Sequence, residues 1–352
     1  MAGNTFGNVL KVMTFGESHG VGLGAVIDGI PAGIKISARE IQHELDRRRP
    51  GQSKVTTARQ EADRVEILSG IFEGKTLGTP IALLIRNADA KSGDYSKLKN
   101  LFRPGHADLA WQKKFGIRDF RGGGRSSGRE TVARVAAGAL ARKIIKAKKI
   151  KIIAYAKEIA GIGSSKFDPK VIEKNSVRAA DAIAAKKMER AILEAKKAGD
   201  SVGGVIEILI SNVPAGIGDP VFDKISAKLG AALLSIGGVK GVEFGVGFAA
   251  AKLRGSEMND EPTSLKAKRT NRGGGISGGI TDGSEIVIRI VVRPTASISI
   301  QQKTVDNRGR SKKIRIAGRH DPCLVPRIIP VAEAMVALTL ADLILKSKTD
   351  RA

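Results

Sequence analysis

The chain has 352 residues, 42% of them hydrophobic, and carries 60 Lys and Arg against 35 Asp and Glu, a formal net charge of +25. This composition excludes a disordered or acidic chain. The single cysteine, Cys323, excludes an intramolecular disulfide framework and points to a reducing, cytoplasmic setting. So large a positive excess asks for an anionic partner: nucleic acid, an anionic membrane surface or strongly anionic small ligands.

In chain order, strands are expected at 9–15, 25–30, 65–68, 81–85, 205–210, 286–292 and 298–302, each short, β-branched and bounded by Gly, Pro or Asn. Helices are expected to begin near Ser37, Asp108, Ser127, Ala182, Val221 and Pro330. Two of them carry capping boxes, Ser37-Ala-Arg-Glu40 and Ser127-Gly-Arg-Glu130. The helix after Ser127 presents Val132, Val135, Ala136, Ala139 and Leu140 at helical spacing, a core stripe. The opening residues do not read as a basic-then-apolar leader. The longest apolar run, 325–345, is interrupted by Arg327, Glu333 and Asp342, which argues against an ordinary spanning helix and for no membrane association. The segments 88–100, 258–279 and 303–316 are polar and long, as mobile lids are. With no βαβ rhythm, no linker and no repeat, the expectation is an α+β fold in one domain spanning residues 1–352.

The charge is uneven. Residues 101–150 hold 13 basic residues against three acids, and 303–319 hold seven against Asp306 alone. Lysines sit in the helix-like stretches, as a solvated face does. Arginines sit among glycines, where the guanidinium fork suits bidentate binding of phosphate or carboxylate. With 4% aromatics and no zinc-finger or RNP spacing, nucleic-acid binding has only net charge behind it.

His43 lies on a charged helix and reads as a surface residue. His19, in Gly-Glu-Ser-His-Gly, His106, in Arg-Pro-Gly-His-Ala-Asp, and His320, in Gly-Arg-His-Asp-Pro, lie in Gly-, Arg- and Asp-rich turns. Such turns on a rigid scaffold are where proton-handling groups concentrate. They lack HxH and HExxH spacing, and Cys323 has no second cysteine to pair with, so no metal site is expected. The densest feature, Arg121-Gly-Gly-Gly-Arg-Ser-Ser-Gly-Arg129, runs into a helix N-terminus, a natural anion site. It lacks the Lys-[Ser/Thr] of a P-loop, and 20–24 does not match GxGxxG, so neither an NTPase nor a dinucleotide fold is indicated. Further basic or glycine-rich clusters are Arg47-Arg-Arg-Pro-Gly-Gln-Ser-Lys54, Arg272-Gly-Gly-Gly-Ile-Ser-Gly-Gly279 and Arg293-Pro-Thr-Ala-Ser297. Asp321, before Pro322, reads either as a helix N-cap or as a chemical group. These residues describe a pocket for phosphate-rich ligands without naming a reaction.

The same motifs, together with Gly241-Val-Glu-Phe-Gly245, resemble the chorismate synthase family along nearly the whole chain and in the family's order. The resemblance implies helices sandwiched between two antiparallel sheets, and a homotetramer. It implies conversion of 5-enolpyruvylshikimate 3-phosphate to chorismate and phosphate, a 1,4-anti elimination that requires reduced FMN. It casts His19 and His106 as the proton-handling histidines, one on the side of the departing phosphate and one near flavin N1, and Asp321 as the carboxylate that removes the C6 proton beside flavin N5. Ser18, Arg48, Arg103, Ser127 and Arg129 match positions that hold substrate anions. Arg125, Ser126, Ser127, Gly238, Val239, Gly278, Arg293, Pro294, Thr295, Ala296, Ser297 and Arg319 match flavin-binding positions. Arg48 and Lys54 fall where an NADPH contact is sometimes assigned. With no added insertion, NADPH is expected only indirectly, through an external flavin reductase. The chain departs from the family at Gly128, Arg293, Ala296 and Lys54, where Ala, Lys, Ser and Arg are commoner; none of these removes a catalytic group.

Overall fold

The computed structural model describes residues 3–57, 61–87, 98–264, 267–316, 318 and 320–350. Arg319 and most of the expected lid at 88–100 lie outside the described residues.

The first half builds strands β1 (Thr5–Phe6), β2 (Lys11–Gly16) and β3 (Gly22–Asp28), helix α1 (Ala38–Arg48), strand β4 (Val65–Ile67), a small hairpin β5 (Ile71–Phe72) and β6 (Lys75–Thr76), and strand β7 (Ile81–Arg86). Helices α2 (Asp108–Phe115) and α3 (Thr131–Ala147) follow. The second half begins with β8 (Lys151–Ile159), β9 (Ile162–Gly163), α4 (Ala182–Lys197), β10 (Gly204–Ser211), α5 (Ile225–Leu234), β11 (Val239–Phe244) and the short α6 (Gly255–Met258). It continues with small strands β12 (Pro262–Ser264), β13 (Ala267–Lys268), β14 (Ile276–Ser277) and β15 (Ile280–Thr281), and ends with β16 (Ile286–Val292), β17 (Gln302–Val305), β18 (Ser311–Ile314) and α7 (Val325–Lys346).

Two five-stranded sheets form, in the orders β1-β2-β3-β7-β4 and β11-β16-β10-β8-β9, with every pair antiparallel. Period-2 alternation decides which face turns inward. Ile81, Leu83 and Ile85 of β7 are fully buried, as are Ile206, Ile208 and Ile210 of β10 and Ile286, Ile288 and Ile290 of β16. Helices α1 and α3 cover the first sheet and α7 covers the second, and all three pack on one another between the sheets. One apolar core runs through both sheets and these helices.

The close approach of α3 and α7 depends on small residues. A Cβ added at Gly138 of α3 would lie 2.5 Å from Ala334 Cβ and 2.8 Å from Ala334 Cα of α7. Helix α7 is long and apolar enough to cross a bilayer, but it is buried in the protein interior. The charges that interrupt its apolar run are held inside. Glu333 accepts from Arg47, Arg142 and the Ala154 amide, and Asp342 accepts from the amides of Asn8, Val9 and Leu10.

Several expectations need adjusting. Helix α7 starts at Val325, five residues before Pro330. A proline there cannot bond the carbonyl four residues back, and that Pro326 carbonyl accepts from Arg178 instead. The Ser127 capping box does not form. Ser127 accepts from the Arg129 amide, a 3-10 turn over Gly128–Glu130 precedes α3, and Glu130 turns to Thr14 and Arg134. The helix expected near Val221 begins at Ile225. Residues 298–301 are not a strand, whereas the expected lid at 303–316 is the β17–β18 hairpin, and β12 to β14 occupy parts of 258–279. Strands β8 and β11 were not legible: β8 follows a lysine-rich helix end without a turn signal, and Gly241 interrupts β11 where its register shifts.

Candidate active site

The loops that leave both sheets and the first turn of α7 enclose a cavity of about 760 Å³. Eight arginines line it: Arg48, Arg103, Arg118, Arg121, Arg125, Arg129, Arg293 and Arg327. Among the described residues, His19, His106 and His320 line it too, with Glu17, Asp108, Asp119 and Asp321, and no lysine does. The two classes of basic residue recognised in the sequence therefore separate in space.

His19 follows β2, and its Nδ1 lies 3.1 Å from Ser18 Oγ. The glycine strip 122–124 runs against it. A Cβ at Gly122 would come within 2.2 Å of His19 Nδ1 and 2.9 Å of Ser18 Oγ, so only glycine lets the strip approach.

His106 is held at both ring nitrogens. Nδ1 lies 2.9 Å from the Pro104 carbonyl and Nε2 lies 2.7 Å from Ser297 Oγ. A carbonyl only accepts, so Nδ1 carries the proton and Nε2 accepts from the Ser297 hydroxyl. Burial first, and the Arg103 charge second, push the imidazole down to about 4, while the Pro104 carbonyl works the other way. His106 is neutral at physiological pH.

Arg103 is fixed by a bidentate pair with Asp108, at 2.8 Å on both branches, and Arg118 shares the same carboxylate at 3.1 Å. Burial tends to raise the Asp108 carboxyl, but the bonds and charge of Arg103 hold it below the usual range. Arg48, at the end of α1, is fully buried. It donates to Asp63 at 2.9 Å, to the Gly128 carbonyl at 2.7 Å and to Thr131 Oγ1 at 3.2 Å. Complete burial lowers Arg48 to about 10 against the opposing pull of Asp63. Arg129 donates to the other oxygen of Asp63 and to Asn87 Oδ1 at 2.9 Å.

Two arginines face neutral acceptors. Arg125 donates to Thr14, Asn4 and the Gly16 carbonyl, with Glu130 no nearer than 3.9 Å, and Arg293 donates to the Gly105 carbonyl. Their charge remains available to an anion.

Asp321 is not a helix cap, because α7 begins four residues later. Its carboxylate accepts from the Thr57 amide at 2.9 Å and pairs with Arg327.

Of the residues singled out in the sequence, His19, Arg48, Arg103, His106, Arg125, Ser126, Ser127, Arg129, Gly238, Arg293, Thr295, Ala296, Ser297 and Asp321 meet in this one cavity. Ser18 stands directly behind His19. Val239 and Pro294 do not line the cavity, though their neighbours Gly238, Arg293 and Thr295 do. Lys54 is exposed outside it, with its carbonyl accepting from Lys196, and Gly278 is exposed at the β14–β15 turn. Sequence reasoning missed Arg118, Arg327 and Asp63. The charge of Arg327 inside an apolar run was the one signal available; Asp63 offered none. Among the described residues, no three His, Cys, Asp or Glu side chains are grouped to hold a metal ion.

Comparison with known proteins gives the family. The sequence model of the family described as Chorismate synthase matches residues 10–345. The chain is 54% identical to a chorismate synthase of Methanocella arvoryzae over 97% of this chain and 94% of that one. It is 54% identical to that of Lachnospira eligens over 100% and 97%, and 53% identical to that of Syntrophus aciditrophicus over 99% of each. A crystal structure of a chorismate synthase superposes with a TM-score of 0.78 at 33% identity, covering 97% of this chain and 93% of that one.

Proposed function

The chain belongs to the chorismate synthase family, and we propose that the arginine- and histidine-lined cavity is where it performs that family's reaction. It is a carbon–oxygen lyase of the shikimate pathway to aromatic amino acids, converting 5-enolpyruvylshikimate 3-phosphate to chorismate and phosphate. The 1,4-anti elimination loses the 3-phosphate and a C6 hydrogen with no net redox change. The observation that carries the assignment to this cavity is the convergence of His19, His106 and Asp321 with eight arginines.

The residues present fit a bound flavin. The volume suits two ligands, Gly238 holds a left-handed backbone at φ +99°, and Thr295 Oγ1 is buried without a hydrogen-bond partner among the described residues. Arg125, Ser126, Ser127, Gly238, Arg293, Thr295 and Ser297 would hold reduced FMN, with Val239, Pro294 and Ala296 shaping the backbone beside it. When bound, reduced FMN supplies the electron-rich ring on which the elimination depends. Gly278 is exposed at the β14–β15 turn and does not line its own chain's cavity, which fits a homotetramer in which a neighbouring copy's hairpin completes the site. Arg319 belongs to the same set by resemblance.

Arg48, Arg103 and Arg129, with Ser127, bind the substrate's anionic groups and orient it, and Ser18 acts on the site through its contact with His19 Nδ1. Asp321, aimed by Thr57 and Arg327, takes the C6 proton. Neutral His106 holds its proton on Nδ1 and offers Nε2 as the acceptor, and a dianion bound nearby favours its protonated form. His19 is the second proton-handling group. Lys54 lies away from the cavity, which supports NADPH acting only through an external flavin reductase. The lone buried Cys323 fits a cytoplasmic setting. The continuous core supports one domain over residues 1–352.

The test is to mix the purified protein with substrate and dithionite-reduced FMN in air-free buffer and follow chorismate absorbance. Chorismate should form. Its absence with folded protein sinks the assignment. NADPH in place of dithionite should give no turnover; turnover would replace the external reductase with an intrinsic one.

A further inference from the structure

Asp63 lies in the connection between α1 and β4, outside every motif recognised in the sequence. It is 2% exposed and adopts φ +47°, the left-handed region that favours glycine. A non-glycine residue keeps that conformation only where its surroundings hold it. Here its carboxylate is divided between two guanidinium groups. Oδ2 accepts from Arg48 Nη1 at 2.9 Å, and Oδ1 accepts from Arg129 Nη1. The side chains of Arg48 and Arg129 are 2% and 4% exposed, and both line the cavity.

Two buried like charges repel and lose their hydration, and an anion between them offsets that cost. A second carboxylate, Glu61, lies 3.6 Å from Arg129 Nη2. Asp63 joins the two directly, one oxygen to each. Arg48 also bonds Gly128 and Thr131, which flank Arg129 in the chain, and Arg129 also bonds Asn87 and the Arg86 carbonyl. Asp63 adds the direct tie between the two charged ends.

We propose that Asp63 is a positioning residue for substrate recognition: by giving one carboxylate oxygen to each of Arg48 and Arg129, it sets the relative orientation of the two forks that grip the substrate's anionic groups. This rests on the reading that Arg48 and Arg129 bind substrate. Asp63 itself faces the arginines and touches no reacting atom.

The test measures KM for 5-enolpyruvylshikimate 3-phosphate, kcat and FMN affinity in two variants, with saturating reduced FMN. Asp63→Asn keeps the shape but removes the charge and turns an amide N–H toward an arginine; KM should rise about tenfold or more, with kcat and FMN affinity within about threefold. Asp63→Glu keeps the charge but displaces it by a methylene, and KM should rise about threefold with kcat unchanged. A wild-type KM in either variant overturns the proposal, as does a parallel loss of kcat and FMN affinity, which would mark Asp63 as merely structural. If Asp63→Asn does not fold, Asp63→Glu decides alone by the same criterion. Arg48→Lys and Arg129→Lys test the underlying reading separately. A wild-type KM in both overturns substrate binding by these arginines, whatever the Asp63 variants do.

Discussion

His106 Nε2 lies 2.7 Å from Ser297 Oγ, although 191 positions separate the two residues in the chain. The contact joins the loop before α2 to the loop after β16. With the Pro104 carbonyl on the opposite nitrogen, it selects one tautomer and directs the accepting nitrogen to Ser297, which lines the same cavity.

Replacing either histidine should remove general acid–base help while leaving the fold intact. His106→Ala and His19→Ala are each expected to lower turnover about 10²-fold or more, measured with saturating substrate and reduced FMN. Near wild-type rates in both would refute their roles.

The low titration point of His106 has a consequence for stability. Unfolded, the ring titrates near its ordinary 6.5; folded, near 4. Between these values the unfolded chain binds more protons, so the contribution is present above pH 6.5 and is lost as pH falls toward 4. His106→Gln should therefore show a shallower fall in unfolding free energy from pH 6.5 to 4 than the parent, by up to about one proton's linkage. Parallel curves from chemical denaturation would contradict the neutral buried ring.

Asp321→Asn keeps the side-chain shape but loses the base. Turnover should fall about 10²-fold while FMN affinity, followed by flavin fluorescence, stays within about threefold. A larger loss of flavin binding than of turnover would recast Asp321 as a binding group.

Gly122→Ala adds one carbon where His19 Nδ1 would lie 2.2 Å away. The ring must move, so turnover should fall by about tenfold or more. The thermal unfolding midpoint should change little, because the strip borders a cavity rather than the core. Unchanged turnover would show that the glycine strip does not set the ring position.

Gly138→Ala should destabilise by about 1–3 kcal/mol, from overpacking against Ala334. An exposed mid-helix glycine would instead gain roughly 0.5–1 kcal/mol on the same change. The sign of the change in urea unfolding tests the α3–α7 approach directly.

The sequence by itself determined the features that act over a few residues. The alternation of β7 and β16, the apolar stripe of α3 and the capping box at Ser37, which forms as expected, follow from local periodicity and hydrogen bonding. The glycine-arginine and histidine motifs were legible because their residue types carry their chemistry wherever they fold. Boundaries were less so. Pro330 looked like a helix start until a distant arginine, Arg178, accounted for the carbonyl that it leaves unpaired. What only the tertiary structure decided is which residues meet. Asp321 is a plausible cap in sequence and an Arg327-paired carboxylate in space; Asp63 has no signature at all, yet joins Arg48 to Arg129. Such contacts depend on how two sheets and three helices stack. That stacking arises from burying side chains drawn from the whole length of the chain, and no local window contains it.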